Sequence, residues 1–158
     1  MHDNTDKKSV YMRIALEEAK KAFENGEIPV GAVIIKDGEI ISKAHNRNRE
    51  TRNPIKHAEI ICIEEASRVL NNERLTDCEL YVTKEPCAMC SGAIVHARIK
   101  SVFIGAEDEK YGACGSVLNV CGSESLNHVP EIEFGILRDE SSHLLKNFFK
   151  IRRLNAKK

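Results

Sequence analysis

The sequence predicts an α/β fold in which layers of helix pack on a mixed sheet. One observation is Asp37-Gly38, which separates two runs rich in β-branched residues and so indicates an antiparallel hairpin. Another is the order strand, helix, strand between Glu79 and Gly105, which is typical of a βαβ unit with parallel strands and a right-handed crossover. Because both kinds of pairing occur, the sheet is predicted to be mixed.

Four helices are predicted from apolar residues at helical spacing and from residues that begin or end helices. Gly26 ends the first helix, and Pro86 begins the third at a position where its missing N–H group costs nothing. Pro54 disfavours helix at the residue before it, so the second helix starts just after it. The predicted helices span residues 10–24, 57–70, 86–98 and 139–154.

Five strands are predicted from short runs of β-branched or alternating apolar residues. They span residues 30–36, 39–44, 79–83, 101–105 and 132–136. Residues 45–55 and 106–115 are predicted to be loops. A single domain is expected over residues 1–158, with about residues 1–8 disordered.

The net charge is zero, from 24 basic and 24 acidic residues, which argues against a dedicated non-specific nucleic-acid binder. Two local basic groups are nevertheless present. One lies within residues 43–56 and the other within residues 146–158, where no acidic residue occurs. Each group is interpreted either as solvated surface, which is the usual case, or as a surface that contacts RNA.

The sequence shows neither a signal peptide nor a membrane span. Residues 1–9 are polar, and no apolar run approaches the roughly 20 residues that a membrane helix needs. We therefore expect a cytoplasmic protein. In that compartment the six cysteines are expected to be thiols or metal ligands and not a disulfide framework.

Two short motifs supply a candidate metal site. Cys87 and Cys90 are three residues apart at the start of a predicted helix, so their sulfurs share one face and the helix dipole favours thiolate. Alone, this spacing fits a redox motif or chance equally well. His57 begins another helix, and both helix starts can lie at one edge of the sheet. We therefore expect His57, Cys87 and Cys90 to bind Zn²⁺.

The number of ligands and the presence of Glu59 indicate a catalytic metal. Three protein ligands leave one tetrahedral position of Zn²⁺ open for water, whereas a structural site needs a fourth protein ligand. Candidates for a fourth ligand are more simply interpreted as buried or partly buried small residues: Cys62, Cys78, Cys114, Cys121, His45 and His96. Glu59 lies two residues after His57 and is expected to move protons, which a structural zinc site does not require.

His57-Ala58-Glu59 together with Pro86-Cys87-Ala88-Met89-Cys90 matches the signature of zinc-dependent nucleobase deaminases. Longer stretches resemble the bacterial tRNA-specific adenosine deaminases of the TadA type, within the cytidine deaminase-like superfamily. These stretches are residues 28–33, 45–47, 53–60, 80–98, 105–116 and 148–153. The resemblance implies the three-layer α/β/α cytidine deaminase-like fold, with helices on both faces of a mixed five-stranded sheet.

The resemblance also implies a reaction and partners. Adenosine at the wobble position of a tRNA anticodon would be deaminated hydrolytically to inosine, with one Zn²⁺ per subunit and Glu59 as the proton shuttle. Asn46 would contact the base, and Asp108 would lie near the nucleotide sugar. Phe149 and Arg152 would lie near the RNA. The expected partners are the tRNA anticodon stem-loop and a second copy of the chain, without DNA or a membrane.

Two other interpretations are possible for the whole chain. A free-base or nucleoside deaminase would keep every zinc residue and differ in its loops and terminal helix. A zinc-binding module without activity would need a fourth ligand and would not need Glu59. Among single residues, Asn46 could cap a loop, and at least one of Phe148 and Phe149 is expected to belong to the core.

Overall fold

The computed structural model describes the backbone of residues 2–157 and the side chains of residues 7–157. The strands are β1 (Gly31–Lys36), β2 (Glu39–His45), β3 (Cys78–Lys84), β4 (Ser101–Ala106) and β5 (Glu131–Phe134). The helices are α1 (His2–Glu24), α2 (Asn48–Thr51), α3 (Ala58–Leu70), α4 (Ala88–Ala97) and α5 (Arg138–Ala156). None of the helices in the described backbone is long and apolar enough to cross a membrane.

The five strands form one mixed sheet in the order β2-β1-β3-β4-β5. β1 pairs antiparallel with β2 and with β3, whereas β3–β4 and β4–β5 are parallel. Asp37 and Gly38 have φ values of 52° and 77°, the two positive values that a type I′ hairpin turn requires. The predicted hairpin, the parallel β3–β4 pair and the mixed sheet are therefore confirmed.

Helices cover both faces of the sheet. Side chains of neighbouring strand residues point to opposite faces and therefore pack against different helices. Leu80 and Val82 belong to a core cluster with residues of α3 and α4, including Ile94. Tyr81, between them, belongs to a second cluster with α1 and stacks on Phe103 at 4.5 Å between ring centroids. α5 contacts β3, β4 and α1. The expected three-layer α/β/α fold is confirmed.

The first helix begins at His2, earlier than the predicted start at residue 10, whereas the disorder expected for about residues 1–8 stays a prediction. Lys8 supplies a physical reason. Its ammonium lies 2.8 Å from Glu133 Oε1 and 5.2 Å from the ring centroid of Phe103, so contacts with the sheet hold this turn. Met1 lies outside the described residues, and so do the side chains of residues 2–6.

The short helix α2 interrupts a segment that was predicted to be entirely loop. The buried carboxylate of Glu27 accepts hydrogen bonds from the backbone N–H groups of Arg49 and Glu50, at 3.0 and 2.8 Å. These are donors that a helix start leaves without intrahelical partners. The cap comes from a residue more than twenty positions earlier, so local sequence patterns do not reveal it.

Candidate active site

The candidate metal ligands lie where two helices begin. His57 immediately precedes α3 with φ −75° and ψ 155°, and Cys87 immediately precedes α4 with φ −75° and ψ −179°. Both residues are therefore extended, as residues at helix N-caps usually are. Cys90 lies in the first turn of α4 and is fully buried. Because α3 and α4 cover the same face of the sheet, their starts lie close together.

The structure brings the three predicted ligands into one cluster. His57 Nδ1 lies 3.7 Å from Cys87 Sγ and 3.4 Å from Cys90 Sγ. Zinc–nitrogen distances of about 2.0–2.1 Å, zinc–sulfur distances of about 2.3 Å and a tetrahedral angle require nitrogen and sulfur to be about 3.6 Å apart. The spacing of the donor atoms therefore fits a tetrahedral zinc ion, and the donor set is one that zinc prefers.

The electrostatics of the cluster favour a thiolate. A hydrogen bond from the Cys90 thiol, and then one from His57, lowers the pKa of Cys87 to about 3 although burial opposes the shift. The same hydrogen bond and burial raise the pKa of Cys90. The pKa of His57 is raised, chiefly by the hydrogen bond between His57 and Cys87. The first thiolate thus lies on Cys87, and thiolate is the form that binds metal.

The cluster has three members among the side chains of residues 7–157. The other cysteines, which were considered as a fourth ligand, are buried elsewhere: Cys62, Cys78, Cys114 and Cys121. His45 is also engaged elsewhere, since its Nδ1 lies 3.0 Å from Glu18 Oε1. A set of three protein ligands is typical of a catalytic site with an open coordination position.

Glu59 lies in the first turn of α3 and is 4% exposed. Burial raises its pKa, and the positive charges of His57 and Lys84 oppose this shift. A carboxyl group with a raised pKa can accept a proton and return it near neutral pH. Glu59 is therefore a buried carboxyl group with a raised pKa near the cluster, a combination that is common at functional sites.

Asn46 is buried and holds the start of α3. Its side-chain Oδ1 accepts a hydrogen bond of 2.7 Å from the backbone N–H of Ala58, the first residue of that helix. The capping role that was left open in the sequence therefore exists, although the capped element is a helix and not a loop. The amide Nδ2 of Asn46 is a hydrogen-bond donor that this cap does not use.

Asp108 is half-buried in the loop that follows β4, and its carboxylate already has partners. Lys84 Nζ lies 2.9 Å from Oδ2, and the N–H groups of Lys110 and Tyr111 donate to Oδ1 at 3.0 and 3.1 Å. Burial opposes ionisation, but the Lys84 hydrogen bond and these N–H groups hold the pKa of Asp108 below its usual value. Sequence reasoning did not identify Lys84 as its partner.

The two predicted RNA-contacting residues of α5 are not part of the metal cluster. Phe149 is half-buried, with its ring centroid 5.5 Å from that of Phe148. Arg152 is exposed, and its guanidinium lies 5.7 Å from the Phe148 ring centroid. Phe148 is buried and packs on Phe23 at 5.7 Å, so it is the phenylalanine of this pair that belongs to the core.

The sequence of the chain matches the MafB19-like deaminase family over residues 6–153. The tRNA-specific adenosine deaminase of Aquifex aeolicus (strain VF5) is 51% identical over 148 residues, which cover 94% of this chain and 97% of that protein. The tRNA-specific adenosine deaminase of Bacillus subtilis (strain 168) is 45% identical over 149 residues, with 94% and 91% covered. The chain belongs to the family of tRNA-specific adenosine deaminases. The family resemblance of the sequence is therefore confirmed.

Two solved structures of deaminases are similar to this chain. One comes from biochemical and structural studies of A-to-I editing by tRNA:A34 deaminases at the wobble position of transfer RNA. It superposes with a TM-score of 0.83 at 41% identity, covering 85% of this chain and 98% of the other. The guanine deaminase from Bacillus subtilis is also similar, with a TM-score of 0.60 and 43% identity over 62% of this chain and 63% of that one.

Proposed function

We propose that the protein converts adenosine to inosine at the wobble position of a tRNA anticodon by hydrolytic deamination in the cytoplasm. The observation that carries the proposal is the buried Glu59 beside a His57, Cys87 and Cys90 cluster with tetrahedral donor spacing. Membership of the tRNA-specific adenosine deaminase family supports tRNA as the substrate. The neutral net charge restricts RNA contact to local basic surface.

His57, Cys87 and Cys90 would hold one zinc ion per subunit, and a zinc ion in such a site supplies a hydroxide nucleophile from water at neutral pH. Glu59 accepts the proton of the attacking water. It then delivers a proton to N1 of adenine as the water oxygen adds to C6. Glu59 next takes the proton of the new C6 hydroxyl and passes it to the amino group. The C6–N bond then breaks as the C6 carbonyl forms, so that adenosine and water yield inosine and ammonia.

The remaining predicted site residues bind and orient the RNA in this proposal. Asn46 Nδ2 contacts the purine, while its Oδ1 stays on Ala58. Asp108 lies at the sugar of the reacting nucleotide, where a 2′-hydroxyl contact favours RNA over DNA. Phe149 and Arg152 contact the anticodon stem-loop. A homodimer places a second copy of the chain near each RNA.

The decisive experiment compares zinc-loaded wild-type protein with Glu59→Ala on an anticodon stem-loop that carries adenosine at the wobble position. Glu59→Ala should bind as much zinc as wild type and lose turnover by at least about a hundredfold, since a positioned acid–base group contributes that much. Glu65→Gln is a matched control on the exposed surface of α3 and should retain activity. Activity of Glu59→Ala within a few-fold of wild type would remove Glu59 from the mechanism.

A free-base or nucleoside deaminase is the second candidate function. The similarity to a guanine deaminase over 62% of the chain favours it, because such enzymes can share the zinc residues. Adenosine, adenine, guanine and cytosine should therefore be assayed beside the stem-loop. Inosine formed only in the RNA would support the tRNA substrate. Turnover of a free base with the stem-loop untouched would keep the chemistry and reject that substrate.

A further inference from the structure

Glu85 is a buried acidic residue to which the proposed chemistry gives no role. It follows β3, immediately precedes Pro86 and is 2% exposed. A buried carboxylate is costly unless hydrogen bonds satisfy its oxygens. Both oxygens of Glu85 are in fact engaged, and the donors come from one segment of the chain.

That segment, residues 107–118, is here named the Asp108 loop. The backbone N–H of Asp108 donates to Glu85 Oε1 at 3.1 Å. The backbone N–H groups of Cys114 and Ser116 donate to Oε2 at 2.9 and 3.1 Å, and the Ser116 hydroxyl donates to Oε1. One carboxylate thus gathers both ends of the Asp108 loop.

Gly112 shows how closely the Asp108 loop wraps this carboxylate. A Cβ atom at position 112 would collide with the Glu85 carboxyl group and, at 2.5 Å, with the carbonyl oxygen of Asp108. Because Gly112 lacks a Cβ, the backbone can approach the carboxylate in a way that other residues do not allow. The loop is therefore built around Glu85.

The backbone of Glu85 connects the same loop to the metal-binding segment. Its N–H donates to the carbonyl of Ala106, at the end of β4, at 2.9 Å. The next carbonyl, that of Pro86, accepts a hydrogen bond of 2.9 Å from Ala113 in the Asp108 loop. Cys87 follows directly and is the residue that immediately precedes α4. The Asp108 loop and the first thiolate ligand are therefore parts of one hydrogen-bonded unit.

We propose that Glu85 is a positioning residue for RNA binding, which fixes the Asp108 loop relative to the metal-binding start of α4. The proposal rests on the proposed function, because it assumes that Asp108 meets the nucleotide. With Glu85 in place, the loop holds the Asp108 carboxylate beside Lys84, whose Nζ lies 2.9 Å from Asp108 Oδ2. Without it, the loop loses four hydrogen bonds and Asp108 becomes mobile, while the zinc ligands themselves remain.

The test uses full-length, zinc-loaded protein with Glu85→Gln, Glu85→Ala and Ser116→Ala. Leu75→Ala is the matched control, because Leu75 is fully buried before the start of β3, at the edge of the sheet opposite the Asp108 loop. It lowers stability without touching the loop. The measurements are zinc content, KM and kcat on the anticodon stem-loop, and amide hydrogen exchange of the loop.

Glu85→Gln should keep the zinc content of wild type and raise KM roughly tenfold to a hundredfold, with a smaller change in kcat, because misplacement of a binding group costs that much. The amides of Asp108, Cys114 and Ser116 should exchange faster in this variant, but not in Leu75→Ala. If Glu85→Ala does not fold, Ser116→Ala still tests the proposal. This variant removes the hydrogen bond that the Ser116 hydroxyl donates to Glu85, at an exposed position, and should raise KM by about fivefold.

Two outcomes overturn the proposal. One is a Glu85→Gln protein whose KM and rate of amide exchange in the Asp108 loop equal those of Leu75→Ala. Glu85 would then affect only the overall stability of the protein. The other is loss of zinc from Glu85→Gln, which would show that Glu85 supports the metal ligands and not the RNA-binding loop. If the wild-type protein leaves the stem-loop unmodified, the proposed function fails, and loop exchange separately shows whether Glu85 fixes the loop.

Discussion

Replacing Asn46 by alanine removes the side-chain oxygen that caps α3. Loss of such a cap costs about 1 kcal/mol of stability. The Ala58 N–H is buried, and a buried donor left without a partner adds a further cost, so a total of roughly 1–3 kcal/mol is expected for Asn46→Ala. For a domain of this size, each kcal/mol lowers the melting temperature by about 2–4 °C.

Asn46→Asp separates the cap from the proposed base contact. Aspartate keeps an oxygen for the Ala58 N–H, and its charge is favourable at the start of a helix. It lacks the amide Nδ2 that would bind the purine. We therefore expect Asn46→Asp to retain more stability than Asn46→Ala, while both lose kcat/KM on the stem-loop by at least about tenfold.

Urea denaturation of the zinc-loaded proteins and steady-state kinetics on the stem-loop measure these two effects. Asn48→Ala is the control, because the side-chain amide of Asn48, the first residue of α2, donates to the nearby carbonyl of Asn53 at 3.1 Å. It should change stability and kinetics much less. Equal stability for Asn46→Ala and Asn46→Asp would refute the capping argument, and full activity of Asn46→Asp would refute the base contact.

Three further predictions concern acid stability, zinc and RNA. The hydrogen bond from His45 lowers the pKa of Glu18 from 4.5 to about 2, so the stabilisation it provides is complete above pH 4.5 and is lost as the pH falls towards 2. This stabilisation is up to about 3 kcal/mol. The free energies of unfolding of wild type and Glu18→Gln, measured between pH 5 and 2, should therefore converge at low pH. A difference that stays constant with pH would contradict this prediction. Cys87→Ala should lose zinc, as measured by atomic emission, and retained full zinc would show that the ligand set is wrong. Arg152→Gln should weaken binding of the stem-loop and reduce the slope of log K against log salt by about 0.7–0.9. The control is Lys100→Gln, an exposed position at the far end of β4, which should change neither quantity. A slope for Arg152→Gln equal to that of wild type would give Arg152 a purely structural role.

The metal cluster could be predicted from the sequence because each ligand lies in a short motif at a helix start. The three-residue spacing of Cys87 and Cys90 fixes their common face within one turn. Pro54 and Pro86 mark where the helices begin, so the position of His57 at the start of its own helix is also readable. The meeting of the two helix starts depends on the tertiary fold, and the single strand between the two helices predicted that they can lie at the same edge of the sheet.

The supports of the site could not be predicted, because their partners are far apart in sequence. Glu85 binds residues 23–31 positions later, and Glu27 caps α2 more than twenty positions later. No periodic sequence pattern indicates that the glutamate between a strand and a Pro-Cys motif is buried. Gly112 alone does not indicate which group lies where a side chain would be. Such contacts are consequences of packing and do not follow from local propensity.

Two of the proposed substrate-binding residues, Asn46 and Asp108, are anchored on segments that carry a candidate metal ligand. Asn46 bonds to Ala58, which directly follows His57, and Glu85 holds the Asp108 loop two residues before Cys87. A shift of either helix start is therefore expected to displace the attached residue, Asn46 or Asp108, together with the candidate zinc ligand. Since zinc residues are shared by deaminases with other substrates, selectivity must arise in these attached groups. Changes that loosen an anchor should for that reason alter KM before they remove the metal.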